Sequence, residues 1–315
     1  TDICRNAAWT AEIIWQRPQR WFLRPCGTRK EKKMKIEFTK MHGCGNDYVY
    51  IDGATQKIPQ ERKPDFVRKM SDRHFGIGGD GVIFINPSDE ADFEMEMYNA
   101  DGSRAQMCGN GIRCVAKFVY DKHLTDQTEI TVVSAGSVKK LKLYVTDGRV
   151  ERVRVNMGRP ILKASEIPVL SDEEQVLNWP VFVADRQWKM SCVSMGNPHA
   201  VVLAEDVASL PLTEIGPKFE NHSMFPERVN TEFIRILDRN TIELRVWERG
   251  SGETLACGTG CCAAVAACVL NGLTERSVAV RVLGGELQIE WDENTGEIFM
   301  TGPAETVFEG QVEWS

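Results

Sequence analysis

The sequence Cys257-Gly258-Thr259-Gly260-Cys261-Cys262-Ala263-Ala264-Val265-Ala266-Ala267-Cys268-Val269-Leu270 leads from a glycine-flanked cysteine into ten uncharged residues. A helix that is apolar on every side has to be buried in a core. Asn271-Gly272 follows directly and is typical of a helix C-terminus. We therefore predict a buried helix over Gly260–Asn271, with Cys257 at the turn that leads into its N-terminal end.

A second copy of this pattern lies earlier in the chain. Cys108-Gly109-Asn110-Gly111 matches Cys257-Gly258-Thr259-Gly260 at an offset of 149 positions. Two further pairs of segments match in the same order, at offsets of 151 and 149: Gly45–Tyr48 with Gly196–His199, and Gly81–Ile85 with Asn230–Ile234. A polar residue, Asn99 or Glu248, stands nine positions before each cysteine. Ordered repeats of this kind predict a body built from two copies of one unit.

Most of the remaining body consists of short β-branched or alternating runs between turn residues, which is typical of strands. Asp147-Gly148 between two such runs indicates a hairpin. Helical patterning is found in four segments: Pro64–Phe75, Ile112–Lys122, Leu212–Asn221 and Gly260–Asn271. The predicted class is α+β with strands dominating, as two pseudo-symmetric strand-rich α/β domains that each wrap a buried helix.

Residues 1–33 differ in composition from the rest. They hold eight basic and three acidic residues, net +5, whereas the whole chain of 315 residues has a net charge of −7. Met34 looks like an ordinary start, so we interpret 1–33 as an upstream artefact or, alternatively, a partner-binding appendage. The acidic body lacks the basic footprint of nucleic-acid binding. No run approaches the roughly 20 apolar residues of a membrane span.

Eight of the ten cysteines belong to the body, and they form neither a Cys-x-x-Cys pair nor a zinc-finger pattern. We expect no metal site and, without a secretion signal, reduced thiols in the cytoplasm. Six cysteines are predicted to be buried core residues: Cys44, Cys114, Cys192, Cys261, Cys262 and Cys268. The remaining two, Cys108 and Cys257, stand where glycine-rich turns enter predicted helices.

The position of these two cysteines indicates chemistry. A helix N-terminus is electropositive, because its first N–H groups are unpaired. We expect this environment to lower the pKa of Cys108 and Cys257 so that thiolate exists near neutral pH. Gly109 and Gly258 leave the amides open to an anion such as a carboxylate. Two thiols on either side of one carbon could remove a proton from one face and return a proton to the other, which inverts a stereocentre.

Six motifs, taken together and in order, resemble the motif set of the diaminopimelate epimerase family. They are Met41–Asp47, Asn99–Ser103, Met107–Cys114, Met195–His199, Glu227–Asn230 and Glu248–Gly260, and they span essentially all of 34–315. The resemblance implies two similar domains facing a central cleft, a homodimer, and epimerisation of LL- to meso-2,6-diaminopimelate without a cofactor. That reaction belongs to the biosynthesis of lysine and peptidoglycan precursors. We expect domains at 34–152 and 153–303, with a C-terminal strand at 304–315 completing the first.

The resemblance also implies roles for residues at matching positions. Cys108 and Cys257 would be the acid/base pair. The reacting carboxylate would be held by Gly109, Asn110, Gly258 and Thr259. A polar cage for the rest of the substrate would be formed by Asn46, Asn99, Asn197, Asn230, Glu248 and Arg249. Two positions depart from the pattern of some members: Gly81 stands in place of Gln, and Thr259 in place of Ser.

Other functions are compatible with parts of this pattern. A proline or hydroxyproline racemase uses two cysteines in the same way, although a small cyclic imino acid would not need the polar cage. A thiol-redox protein and an inactive amino-acid-binding module are the alternatives from other classes. Nucleotide binding is disfavoured: Gly76-x-Gly78-x-x-Gly81 matches the dinucleotide fingerprint, but a helical pattern precedes it and a strand follows. We interpret His199 as a structural hydrogen-bonding residue.

Overall fold

A computed structural model describes residues 34–105 and 108–314, so the predicted leader 1–33 lies outside the described residues. The strands of the first half are β1 (Met34–Gly43), β2 (Asn46–Asp52), β3 (Gly81–Asn86), β4 (Phe93–Asn99), β5 (Glu129–Ser134), β6 (Ser137–Thr146) and β7 (Arg149–Gly158). Those that follow are β8 (Trp179–Val183), β9 (Arg186–Ser194), β10 (Pro198–Leu203), β11 (Asn230–Asp238), β12 (Thr241–Glu248), β13 (Gly252–Thr254), β14 (Ser277–Val282), β15 (Gly285–Trp291), β16 (Ile298–Pro303) and β17 (Glu305–Trp314). The helices are α1 (Lys63–Ser71), α2 (Gly109–Asp121), α3 (Leu212–Glu220) and α4 (Gly258–Leu270), with 3-10 turns at Gln60–Arg62 and Ala164–Glu166.

The strands form one continuous path of pairings through both halves of the molecule. The first half runs in sequence from β1 to β7, with β2–β3 and β4–β5 parallel and the other neighbours antiparallel. The second half repeats this order from β9 to β16, with β10–β11 and β12–β14 parallel. The two halves join where β7 pairs antiparallel with β16. The C-terminal strand β17 returns to the first half and pairs with β1.

The repeat in the sequence is a repeat in the structure. Strand β3 begins at Gly81 and β11 at Asn230, β4 ends at Asn99 and β12 at Glu248, and the two central helices begin one residue after Cys108 and Cys257. Each of these pairs of equivalent elements is 149 residues apart, which is the offset of the repeat in the sequence. The predicted fold class of two pseudo-symmetric, strand-rich units is confirmed.

Each half places its sheet between an inner and an outer helix. Along β2, Tyr48 and Tyr50 point to a central core that also contains the apolar faces of α2 and α4. Val49 and Ile51 point the other way, into a smaller core under α1. This alternation follows from the period of two along a strand. A matching outer core lies under α3 around Phe219, so the inner helices of the two halves share one core while each outer helix has its own.

The apolar segment after Cys257 forms the deeply buried helix α4, as its composition predicts. Residues 261–267 of α4 are each at most 2% exposed, and the helix ends at Leu270 as the Asn271-Gly272 signal predicts. Gly272 adopts a positive φ of 68°, which glycine allows at little cost. The six cysteines predicted to fill the core are all buried: Cys44, Cys114, Cys192, Cys261, Cys262 and Cys268.

Two strands lie where the sequence pattern did not predict them. In β9, Arg186 and Lys189 interrupt the apolar run, yet Trp188 and Met190 are buried in the outer core. The three-residue strand β13 is too short for a pattern to show. The hairpin at Asp147-Gly148 is present between β6 and β7, with both residues at positive φ. None of the helices in the described ranges is long and apolar enough to cross a membrane.

Candidate active site

The N-termini of the two inner helices face each other across a cleft of about 1500 Å³. The contact is closest at their first residues, because a Cβ atom built on Gly258 would lie 3.6 Å from the Cα of Gly109 and 3.1 Å from the Sδ of Met300. A side chain at either glycine would therefore push Met300 aside or force the helix ends apart. Glycine at both positions lets two positive helix ends point at one place.

Cys108 and Cys257 are the N-cap residues of these helices. Their backbones are nearly identical, with φ and ψ of −123° and 112° at Cys108 and −118° and 111° at Cys257. Cys108 Sγ accepts a hydrogen bond from Gly111 N at 3.3 Å and lies 3.1 Å from Asn46 Oδ1. Cys257 Sγ lies 3.5 Å from Thr259 Oγ1. Both sulfurs line the same cleft.

The expected lowering of the thiol pKa by the helix ends is wrong, because the pKa of both thiols is raised. Burial raises the pKa of Cys108, and the backbone amides of Gly111 and Asn110 offset only part of that rise. Burial also raises the pKa of Cys257 well above its usual value, and the carboxylates of Glu248 and Glu232 raise the pKa further. Desolvation outweighs the helix end because a thiolate in an apolar surrounding loses its hydration. Both cysteines are consequently thiols at neutral pH.

The cradle on each side of the cleft is built from backbone and short side chains. Asn110 is 2% exposed, and its Nδ2 donates to the carbonyl oxygen of Ala256 at 3.1 Å, so that this side chain links the start of α2 to the residue before Cys257. Thr259 Oγ1 accepts from Asn197 Nδ2 at 3.4 Å. The hydrogen bonds of Asn110 and Thr259 thus fix the first turns of both helices. Backbone amides at these helix ends are suited to one anion that the two helices share.

On the side of the first half, a carboxylate orients Asn46. Asp80 Oδ2 accepts from Asn46 Nδ2 at 2.7 Å, which turns the amide oxygen of Asn46 toward Cys108. Arg73 holds Asp80 in turn, with 2.9 Å between Nη2 and Oδ1. Asn99 is more exposed and donates to Ser103 Oγ at 3.1 Å.

On the side of the second half, Asn230 and Arg249 form a connected pair. Asn230 is 5% exposed, donates from Nδ2 to the carbonyl oxygen of Pro198 at 2.9 Å, and accepts from Arg249 N at 2.9 Å. The guanidinium of Arg249 donates to the carbonyl oxygen of Glu227 at 2.9 Å and lines the cleft. A guanidinium in this position is suited to a second carboxylate.

Glu248 supplies the carboxylate of the cleft. Its side chain accepts a hydrogen bond from Thr254 Oγ1. Burial raises the pKa of Glu248, and the negative charge of Glu232 adds to this effect, while the Thr254 hydrogen bond opposes it. A carboxylate in this position is suited to an ammonium group.

All twelve residues singled out from the sequence line this one cleft. They are Cys108, Cys257, Gly109, Asn110, Gly258, Thr259, Asn46, Asn99, Asn197, Asn230, Glu248 and Arg249. Their proximity follows from the topology, since the ends of β4, β12 and the starts of β10, β11, α2 and α4 meet at the junction of the two halves.

A buried pair that the sequence motifs do not reveal lies behind Cys257. His199 and Glu232 are both 0% exposed, and His199 Nδ1 lies 2.8 Å from Glu232 Oε1. His199 Nε2 lies 3.0 Å from Asn197 Oδ1, so the pair holds the asparagine that contacts Thr259. The sequence does contain a signal for Glu232. Its counterpart in the first copy is Ile83, and a carboxylate within an apolar strand is costly to bury unless it has a hydrogen-bond partner. His199 has the structural role that the sequence predicts.

Gly81 contributes no side chain to the cleft. It holds the position in β3 that Asn230 holds in β11. A Cβ atom at Gly81 would lie 1.9 Å from the carbonyl oxygen of Tyr98. Strands β3 and β4 therefore approach each other closely at the position where some members of the family that the sequence resembles carry Gln. Gly76 and Gly78 lie in the loop after α1, and Gly81 is the first residue of β3, so the triplet leads from a helix into a strand and not from a strand into a helix as a dinucleotide site requires.

Comparison with known proteins identifies the family that this chain matches. The family model for diaminopimelate epimerase matches residues 38–163 and 191–307. A diaminopimelate epimerase of Agathobacter rectalis is 55% identical over 285 residues, which is 88% of this chain and 99% of that protein. A diaminopimelate epimerase of Methanococcus maripaludis is 53% identical over 278 residues, covering 88% of this chain and all of that protein.

Solved structures share the fold at low sequence identity. A probable proline racemase from Agrobacterium radiobacter gives a TM-score of 0.64 at 18% identity, covering 88% of this chain and 92% of that one. A phenazine biosynthesis protein from Bacillus anthracis gives 0.62 at 15% identity, covering 89% and 99%. These likenesses concern the fold, whereas the family model and the relatives above 50% identity concern the sequence itself. The chain belongs to the diaminopimelate epimerase family of isomerases.

Proposed function

We propose that this protein interconverts LL- and meso-2,6-diaminopimelate with Cys108 and Cys257 as a two-base pair. One observation carries the proposal: two cysteines with matching backbone geometry cap two helices whose first residues face each other in one cleft. The relatives that share more than half of the sequence are named for this reaction. The reaction would serve the formation of lysine and peptidoglycan precursors.

The reacting carboxylate would bind between the two helix N-termini. The amides after Cys108 and Cys257 then donate to its oxygens, and the α-carbon lies between the sulfurs. One cysteine, as thiolate, takes the α-proton, and the electron pair of the C–H bond moves into the carboxylate as an enolate. The other cysteine, as thiol, gives its proton to the opposite face. Donors fixed in a buried site stabilise the enolate charge, so the proposal calls for no cofactor.

The remaining half of the substrate would occupy the polar cage. Diaminopimelate has a second amino acid end, which carries a carboxylate and an ammonium group. Arg249 would pair with the distal carboxylate. Glu248 and the amide oxygens of the asparagines in the cleft would accept from an ammonium group. A proline-sized substrate leaves these groups without partners.

The same proposal includes the organisation of the chain. Domains at 34–152 and 153–303 are supported by the repeated strand order, and β17 pairs with β1 as a completing strand would. Strand β7 spans the boundary between them. We also propose a homodimer, for which the exposed Val307 and Phe308 on β17 offer an apolar surface. Eight free cysteines in the described residues support a reducing compartment such as the cytoplasm.

Isotope exchange tests the reaction directly. LL-diaminopimelate incubated with the protein in heavy water should gain deuterium at one α-carbon while meso-diaminopimelate appears. Proline and 4-hydroxyproline under the same conditions should show neither exchange nor inversion. Exchange into proline without exchange into diaminopimelate would contradict the proposal in favour of a proline racemase. Loss of free thiols to peroxide without any exchange would favour a redox protein.

A further inference from the structure

Arg113 is the largest side chain of the described residues that is fully buried, at 0% exposure. It lies in the first turns of α2, five residues after Cys108. The guanidinium forms no ion pair with any Asp or Glu of the described part of the chain. A buried guanidinium without a counter-charge is costly unless something else in the site balances it.

The structure builds a slot for this guanidinium. A Cβ atom on Gly43 would lie 2.8 Å from Arg113 Nη2, and a Cβ atom on Gly302 would lie 3.0 Å from Nε. Two glycines from different strands therefore leave the space that the planar group fills. Nε donates to the carbonyl oxygen of Pro303 at 3.0 Å, and Nη2 lies 3.7 Å from Cys44 Sγ.

The same group reaches the reacting end of the cleft. Arg113 Nη1 donates to the carbonyl oxygen of Gly109 at 3.1 Å and to Asn110 Oδ1 at 3.0 Å, the two residues that directly follow Cys108. The side chain of Asn110 in turn donates to the carbonyl oxygen of Ala256, the residue before Cys257. The cation thus lies directly behind the place where the two helix ends meet.

The partners of Arg113 are neutral, so its charge is not neutralised locally. Burial raises the pKa of Cys108, the carboxylate of Glu248 adds to that rise, and the positive charge of Arg113 opposes it. The counterpart of Arg113 in the second half is Cys262, which carries no charge. Of these two equivalent positions, the one on the side of Cys108 carries the cation.

We infer that Arg113 is a positioning residue whose buried charge balances the negative charge that the reaction creates on Cys108 and on the enolised carboxylate. This inference rests on the proposed function for the identity of the enolate, but its effect on Cys108 exists without substrate. Arg113 acts through the helix end: its hydrogen bonds go to Gly109 and Asn110 and not to the sulfur of Cys108 or Cys257, and its side chain does not line the cleft.

Alkylation of Cys108 in the full chain tests the charge. Iodoacetamide labelling, located by peptide mass spectrometry, reports the thiolate fraction of Cys108 at each pH. Arg113→Gln should slow labelling of Cys108 at a fixed pH by about tenfold, because the thiolate fraction falls when the opposing positive charge is removed. Arg113→Lys keeps the charge and should stay within about threefold of the unsubstituted protein. Equal loss in both variants would mean that the hydrogen bonds matter and the charge does not, which overturns the inference.

A second pair of variants tests the same charge without removing Arg113. Cys44 lies beside Nη2 at a φ of 54°, a conformation that Asp and Asn tolerate. Cys44→Asp supplies the missing carboxylate and should slow labelling of Cys108 by about tenfold, whereas the neutral Cys44→Asn should not. Equal rates in these two variants would contradict the inference even if Arg113→Gln fails to fold. Failure of the proposed function is separate, since it would appear as absent deuterium exchange in the unsubstituted protein with these labelling differences intact.

Discussion

The two halves of the molecule share a backbone plan but differ in charge around their cysteines. In the first half, Cys108 has the buried cation of Arg113 behind it and a neutral amide, Asn99, at the end of β4. In the second half, Cys257 has two carboxylates near it, Glu248 and Glu232. Strand order, helix starts and N-cap geometry repeat, whereas the charges do not.

This difference shows how a symmetric scaffold can hold two cysteines that differ in how readily they lose a proton. A two-base reaction needs one acid and one base at any moment. Burial and the carboxylate of Glu248 raise the pKa of both thiols. Glu232 adds to the rise at Cys257, whereas the cation of Arg113 opposes the rise at Cys108. The charges around the two cysteines therefore favour placing the first negative charge on Cys108. Binding of a substrate ammonium group has to supply the rest.

The largest expected effect comes from removing either cysteine, which would show that the halves are equally necessary despite their different charges. Cys108→Ala and Cys257→Ala should each lower the rate of epimerisation by at least about 10³-fold, since each deletes one proton-transfer group. The measurement is formation of meso-diaminopimelate, with circular dichroism to show that both variants fold. Cys114→Ala, a buried cysteine of the same helix, is the matched control. If either catalytic variant kept a tenth of the rate, the two-base assignment would be wrong.

The next effect concerns stability and is confined to the second half. Glu232→Ile installs the residue of the equivalent position, Ile83, and removes the carboxylate from the buried His199. Breaking a buried pair typically costs about 3–5 kcal/mol of the free energy of unfolding. Ile83→Val in the first half should cost only about 1 kcal/mol, as a lost methylene does. Urea unfolding measures both, and comparable losses would mean that the His199–Glu232 pair adds nothing that an apolar pair does not.

Much of the fold follows from the sequence because it depends on local pattern and on repetition. The helix after Cys257 was predictable since ten apolar residues and an Asn-Gly stop leave no other burial-compatible choice. The pairing of β7 with β16 was not, because nothing in either strand specifies a partner about 140 residues away. Strand β9 is not predictable from the pattern since the exposed Arg186 and Lys189 interrupt its apolar residues and hide the alternation that buries Trp188.

The candidate site was predictable in its members but not in its electrostatics. Repeat-related positions and the family motifs identify twelve of the residues that line the cleft, since equivalent strand ends meet at one junction. The thiol pKa direction was wrong because sequence shows the helix end and hides the depth of burial around Cys108 and Cys257. Arg113 and Glu232 were missed because a single charged residue inside an apolar run does not reveal its contacts.

Chemical labelling sharpens the difference between the two cysteines. Burial and the carboxylate of Glu248 raise the pKa of both thiols, while Glu232 adds to the rise at Cys257 and the cation of Arg113 opposes the rise at Cys108. Thiolate is the reactive form, so iodoacetamide should label Cys108 at least about tenfold faster than Cys257 near pH 8. Labelling of each should quicken by about tenfold per pH unit while the pH stays below its pKa. Equal rates at the two sites, or rates that level off below pH 8, would contradict the charge asymmetry.

The smallest expected effect is on the pH dependence of stability, in which Glu248 should differ from its counterpart Asn99. Burial raises the pKa of Glu248 above the usual 4.5, so folding disfavours its charged form. A group with a raised folded-state pKa contributes most to stability below its unfolded pKa, and that contribution is lost as pH rises through the folded-state pKa. Glu248→Gln cannot ionise, and its amide oxygen can still accept from Thr254. The variant should match the unsubstituted protein at pH 4 and exceed its stability by about 1 kcal/mol or less at pH 8, a size common for single substitutions.

Asn99→Asp is the reverse change at the equivalent end of β4, where the side chain is exposed. A new carboxylate there keeps its hydration, so its stability relative to the unsubstituted protein should not vary between pH 5 and pH 8. Thermal unfolding of both variants between pH 4 and pH 8 measures the difference. If Glu248→Gln shows no pH-dependent gain, the carboxylate of Glu248 is not desolvated in the cleft. It would then be charged at neutral pH and would itself oppose a negative charge on Cys257. A pH-dependent change in Asn99→Asp equal to that of Glu248→Gln would instead mean that the two strand ends are electrostatically alike and that the asymmetry of the halves ends at the cysteines.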